Sequence, residues 1–161
     1  MKTLIVLRHG QAEHHSTDGT DFDRALTARG LQDSTRVGCL LKAGNLVPDY
    51  IVSSSAKRAR MTADRVAEAC DFSARIDLTE EIYEASVTRL FSLVQRIDES
   101  VRVALIAGHN PGLWGLVETL FKPVTHYPTC AWTQLEIDVQ HWGEITSGSP
   151  VELVTFWHPG L

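Results

Sequence analysis

Apolar positions along this chain fall into two alternating patterns. The short runs "TLIVL" (3–7), "DYIVS" (49–53), "VRVALIA" (101–107), "WTQLEIDV" (132–139) and "VELVTFW" (151–157) are rich in Val, Ile and aromatic residues, and they predict strands. The first and third are continuously apolar, as central strands covered on both faces are. Between them, residues 26–44 offer Thr27 as an N-cap, repeat Leu31, Val37, Leu40 and Leu41 at helical spacing and stop at Gly44. Further helices are expected over 56–70, 86–97 and 110–121, the last with Pro111 in its first turn, where a missing N–H costs little. The alternation implies an α/β fold, a three-layer α/β/α sandwich around a mostly parallel sheet. With no internal repeat or linker in view, a single domain is expected over 1–161.

Composition narrows the partners. With 161 residues, 43% apolar and 22% charged, the chain has the make-up of a soluble globular protein with a real core. A net charge of −5 argues against a broad basic face, so neither a nucleic acid nor a membrane is an expected partner. Cys39, Cys70 and Cys130 are odd in number and form no CxxC pair, which points to reduced thiols rather than disulfides or thiolate-bound zinc. The apolar run before Arg8 is too short for a signal-peptide core, and a cytoplasmic location is the expectation.

Polar chemistry gathers where the strands end. "TLIVL" runs into Arg8, His9 and Gly10; "DYIVS" leads to Arg58; and "VALIAG" leads to His109. Ligands of open α/β sheets bind outside the carboxyl ends of strands. Two arginines there favour a dianion, because the guanidinium fork matches phosphate oxygens and keeps its charge. Helix N-termini after 58 and 109 would add N–H groups. Neutral His9 could attack phosphorus in line, with Gly10 clearing the approach. Arg8, Arg58 and a protonated His109 would offset the charge on the equatorial oxygens. That chemistry requires no metal and no cofactor. The adjacent His14 and His15 are poorly spaced for chelation and are expected in a surface loop. His126, His141 and His158 have no partner motif, Trp114 reads as core helix, and Trp132, Trp142 and Trp157 read as strand packing.

"LRHGQA", "DFDRALTARG", "SSSAKRARMTA" and "AGHNPGL" occur in that order over the first two thirds of the chain. Together they resemble the successive signatures of the histidine phosphatase superfamily, whose fold is the phosphoglycerate mutase-like sandwich. The resemblance implies that His9 is the phosphorylated nucleophile, that Arg8 and Arg58 bind phosphate, and that His109 is the second catalytic histidine. Arg24 and Gln11 complete the expected phosphate-binding set. Mutase-like members carry an acid ahead of a Gly-aromatic-Glu-Gly segment; here "LTEEIYEASV" has no glycine. Glu81 is the leading candidate for a proton donor, with Glu80 and Glu84 beside it.

The short chain resembles SixA-type phosphohistidine phosphatases more than mutases. A phosphohistidine leaves as imidazole, whose conjugate acid has a pKa of about 6.5, and needs no strong acid, whereas an alkoxide does. Protein phosphohistidine is therefore the expected substrate. A small phosphorylated metabolite is the alternative within the same chemistry, and a phosphate-binding module without turnover is the alternative outside it.

Overall fold

The computed structural model describes residues 1–161. Six strands form one sheet: β1 (Lys2–Arg8), β2 (Tyr50–Ser54), β3 (Asp77–Thr79), β4 (Val103–Gly108), β5 (Trp132–Ile137) and β6 (Val151–Trp157), in the order β3-β2-β4-β1-β5-β6. β1 pairs with β4, β4 with β2 and β2 with β3 in parallel, while β5 runs antiparallel to both β1 and β6. Five strands thus share one direction and β5 alone is reversed. The sheet is mixed and mostly parallel, as its alternating pattern predicts.

The four helices α1 (Ala28–Ala43), α2 (Lys57–Ala69), α3 (Val87–Gln95) and α4 (Gly112–Leu120) lie in two layers. The continuous apolar run of β1 feeds both. Leu4 and Val6 join Leu90, Leu93, Leu113 and Val117 of α3 and α4, while Ile5 and Leu7 join Val37, Leu41, Ala63 and Val66 of α1 and α2. Side chains alternate across a strand, so a strand covered on both faces must be apolar at every position.

Caps set the helix starts. Thr27 accepts from the Gly30 N–H at 3.0 Å and Ser86 from the Arg89 N–H at 3.2 Å. Helix α4 begins at Gly112, two positions later than expected, with Pro111 as its cap rather than in its first turn. Trp142 departs further: it sits in a 3₁₀ turn (Trp142–Glu144), fully buried, and its indole N–H donates to Val101 O at 2.9 Å. Strand β3, with two of its three residues exposed, shows no alternation to predict it. No helix is long and apolar enough to cross a membrane.

Candidate active site

Strand register brings the chemistry together. In the ladder Arg8 pairs with Gly108 and Ser53 with Ala107, so β1, β2 and β4 stop level with one another. The residues that follow, His9, Ser54 and His109, emerge side by side at one edge of the sheet. The imidazoles of His9 and His109 lie 5.2 Å apart, centroid to centroid, and both rings are buried.

Hydrogen bonds fix each ring. His9 Nδ1 lies 2.7 Å from Gly10 O, an acceptor only, so Nδ1 carries the proton and Nε2 keeps its lone pair. His109 Nε2 lies 2.8 Å from Ser54 Oγ, leaving Nδ1 buried and without a partner. Arg8 extends Nη1 to Tyr127 O at 3.1 Å, and Asn110 Nδ2 donates to the same carbonyl at 2.8 Å. The Tyr127 hydroxyl in turn donates to Val6 O at 2.6 Å, tying this loop to β1. The Nε groups of Arg8 and Arg58 are, like His109 Nδ1, buried and unpaired. Buried polar groups ordinarily find partners, and these free nitrogen atoms are groups that a bound anion could satisfy.

Arg58 sits in the first turn of α2 rather than ahead of the helix. It is 6% exposed, and Asp21 holds it: Nη1 donates to Asp21 O at 2.8 Å and Nη2 to Asp21 Oδ2 at 3.0 Å. The same carboxylate accepts from Tyr83 Oη at 2.6 Å and from Arg24 Nε at 2.9 Å. These bonds, Tyr83 foremost, pull the Asp21 pKa down to about 2 and push the Tyr83 phenol up to about 12. Neither Asp21 nor Tyr83 is marked by sequence reasoning, although both lie in segments that carry other candidates.

The histidines are neutral. Burial, aided by His109, Arg58 and Arg8 and opposed by the Gly10 bond, lowers the His9 pKa to about 3. Burial and then Arg58 lower His109 to about 4, against the opposing pull of Asp21. A neutral His9 is what a nucleophile needs. The expectation of a protonated His109 is corrected for the protein on its own, because burial first and Arg58 second disfavour a further cation there. Gly10 also meets a packing demand: a Cβ there would come within 2.8 Å of Gly30 O on α1, and the Gly10 N–H donates to Thr62 Oγ1 at 3.0 Å.

Three candidates lie apart from the pair of histidines. Glu81 binds Arg96 at 2.9 Å and faces a depression shared with Tyr50 and Asp77, so its carboxylate points away from His109. Gln11 is exposed, accepts from Thr27 Oγ1 at 2.9 Å and opens onto a depression with Arg29, His126 and His158. Arg24 donates to Asp21 and to Glu13 O, beside His14 and His15, one residue removed from Arg58. Glu84 is the acid that does line the cavity of about 400 Å³ shared by Asp21, Arg58, Tyr83, His109 and Asn110. No three His, Cys, Asp or Glu residues are grouped so as to hold a metal ion.

Paired histidines and arginines at the carboxyl edge of a mostly parallel α/β sheet form an arrangement that could hold a phosphoryl group. Residues 4–110 match the histidine phosphatase superfamily (branch 1), and the chain belongs to that family. An uncharacterised protein of Mycobacterium tuberculosis is 30% identical over 106 residues, 65% of this chain and 63% of its own length. Phosphoglycerate mutase 1 of Saccharomyces cerevisiae is 36% identical over 73 residues, 44% of this chain and 30% of the mutase. The chain thus spans less than two thirds of these curated relatives. Among solved structures, a protein of Agrobacterium tumefaciens assigned as the phosphohistidine phosphatase SixA superposes with a TM-score of 0.84 at 26% identity, covering 99% of both chains. A protein histidine phosphatase SixA complexed with tungstate gives 0.84 at 20% identity, covering 98% of this chain and 97% of that one. The likeness is to SixA-type structures.

Proposed function

We propose that the protein is a metal-independent phosphatase that removes phosphoryl groups from protein phosphohistidine through a phospho-His9 intermediate. The observation that carries this reading is the His9 Nδ1 contact with Gly10 O, together with the unpaired Arg8 Nε, Arg58 Nε and His109 Nδ1 around it. Nε2 is left as a nucleophile among donors suited to phosphoryl oxygens.

The geometry supports a step that balances without moving a proton at His9. Nε2 attacks phosphorus with its lone pair, and the ring becomes a phosphoimidazolium that keeps its Nδ1–H on Gly10 O. The substrate P–N bond breaks, and its electron pair returns to the substrate ring, which, protonated on its other nitrogen, leaves as neutral imidazole. Water then attacks the phosphoryl group and loses a proton to solvent, and the P–Nε2 electron pair returns to His9. Ser54 Oγ accepts from the Ala56 N–H at 3.2 Å and can donate its own proton to His109 Nε2, which places an N–H at Nδ1 toward the phosphoryl oxygens.

Glu81 turns away and no carboxylic acid is hydrogen-bonded to either histidine, which favours a leaving group that needs little help. The reading is tested by parallel rates on a phosphohistidine-bearing protein and on alkyl and aryl phosphate monoesters, with EDTA present. The expected result is faster turnover of the P–N substrate, unaffected by EDTA, with His9→Ala lowering the rate by at least about 10⁴-fold and abolishing phosphoryl labelling. A preference for an alkyl monoester would instead assign a small metabolite, and phosphate binding with no turnover of either substrate would leave a binding module.

A further inference from the structure

The same cavity carries a second message, in the charges beyond its phosphoryl end. Arg58 and His109 occupy that end, with the unpaired Nε and Nδ1 atoms belonging to residues that are 6% and 9% exposed. What remains to meet a leaving group is Asp21, Tyr83, Glu84, Ser86 and Asn110. That wall holds two carboxylates and no cation. Arg24, the nearest further arginine, faces the neighbouring depression rather than this one.

The two carboxylates differ. Asp21 is offset by Arg58 and Arg24, whereas Glu84 forms no ion pair. Glu84 is also held in the left-handed region at φ 53°, a conformation uncommon for a residue with a side chain. It follows the 3₁₀ turn that directs Glu81 away, so two nearby acids serve opposite sides of this segment. Tyr83, the residue before Glu84, sets its ring nearly perpendicular to the His109 imidazole, with centroids 5.5 Å apart. The Tyr83 ring already has the Arg58 guanidinium over it at 6.0 Å, so it is the free carboxylate of Glu84 in the same cavity that suits a cationic group carrying N–H donors.

Building on the phosphatase reading above, we propose that Glu84, with Tyr83 and Asp21, forms a leaving-group subsite that selects phosphorylated basic nitrogen groups and phosphate esters of amino alcohols over phosphates whose leaving group bears a carboxylate. The rule concerns charge and not size. An anionic leaving group meets the unpaired Glu84 carboxylate beside an Asp21 whose cations are already engaged; a cationic one meets an unpaired acceptor on Glu84. Carboxylated esters such as the phosphoglycerates are therefore poor ligands.

Three phosphonates of similar size separate charge from shape: 2-aminoethylphosphonate, propylphosphonate and phosphonoacetate. Their dissociation constants, with that of inorganic phosphate, are measured calorimetrically on the wild-type chain and on the Glu84→Gln and Glu84→Lys variants. None is hydrolysed at its C–P bond by this chemistry, so binding is read without turnover. Expressed relative to the neutral propyl compound, wild type should favour the amine over the carboxylate by roughly tenfold at low salt, as expected for a part-exposed charge pair. Glu84→Gln should shrink that ratio to roughly threefold or less, and Glu84→Lys should invert it. Added salt should narrow the wild-type ratio. A ratio that is the same in all three proteins overturns the subsite while leaving the phosphatase reading intact. Failure of inorganic phosphate and every phosphonate to bind overturns the phosphoryl pocket itself, and the subsite with it.

Discussion

Arg58 shows how much a single side chain depends on its neighbours. Its guanidinium is fixed by the Asp21 carbonyl and carboxylate, and the carboxylate is in turn shared with Tyr83 and Arg24. A phosphoryl ligand therefore meets an arginine already aimed, with Nε free. Asp21→Ala removes the acceptor from Nη2 while the backbone carbonyl still holds Nη1, so Arg58 gains freedom without leaving the pocket. Misplacing a clamp by about an ångström costs up to about 10²-fold. We expect kcat/KM to fall roughly 10- to 100-fold in this variant, with Asp21→Asn less affected because it keeps an acceptor oxygen. Steady-state kinetics beside inorganic phosphate affinity checks this, and unchanged kinetics in Asp21→Ala would remove Asp21 from any positioning role.

At the scale of elements, the site rests on how closely α1 packs against its surroundings. A Cβ on Gly30 would stand 2.2 Å from Gln11 O, and one on Gly38 would stand 2.5 Å from Ala69 Cβ and 2.6 Å from Val66 O on α2. Helix propensity alone favours Gly38→Ala by about 1 kcal/mol, but overpacking against backbone costs about 1–3 kcal/mol. The clash involves a carbonyl that cannot turn aside, so it wins. Gly38→Ala should lower the urea midpoint by an amount equal to roughly 1–2 kcal/mol at unchanged m-value. A rise in the midpoint would show that the two helices separate freely. The elements themselves were legible where periodicity is strong: β1 and β4 bury their apolar positions as their spacing requires, and α1 buries Val37 and Leu41, although it leaves Leu40 exposed. β3 was not, because an exposed three-residue edge strand has nothing to alternate.

For the whole molecule, the buried neutral histidines link stability to pH. His9 and His109 titrate near 3 and 4 in the folded chain, below the value of about 6.5 of an unfolded histidine. As pH falls below about 6.5 the unfolded state takes up protons first, so stability declines between roughly pH 6.5 and 4. Asp21 is shifted in the same direction and adds to the loss at lower pH: its stabilisation is present above about 3.9 and is lost as pH falls toward 2. Thermal midpoints should therefore drop on acidification from pH 7 to 4.5, and His9→Ala should show a shallower slope over that interval. Parallel slopes would mean that His9 is not buried neutral.

Sequence by itself determined the alternation of strands and helices and the placing of Arg8, His9, Arg58 and His109 at strand ends, because periodicity and strand-end chemistry are local properties. It also marked the acidic stretch after β3 as a source of a carboxylate. Which acid faces the cavity was decided only in three dimensions: residues 80–84 form a 3₁₀ turn followed by a left-handed residue, and such a segment has no period from which a direction could be read. The reversal of β5, the Asp21 clamp across 37 residues to Arg58 and the Tyr83 bridge across 62 residues to Asp21 are likewise long-range choices. They follow from packing the two helix layers onto one sheet, where partners meet through tertiary contact and leave no imprint on their own neighbours in the chain.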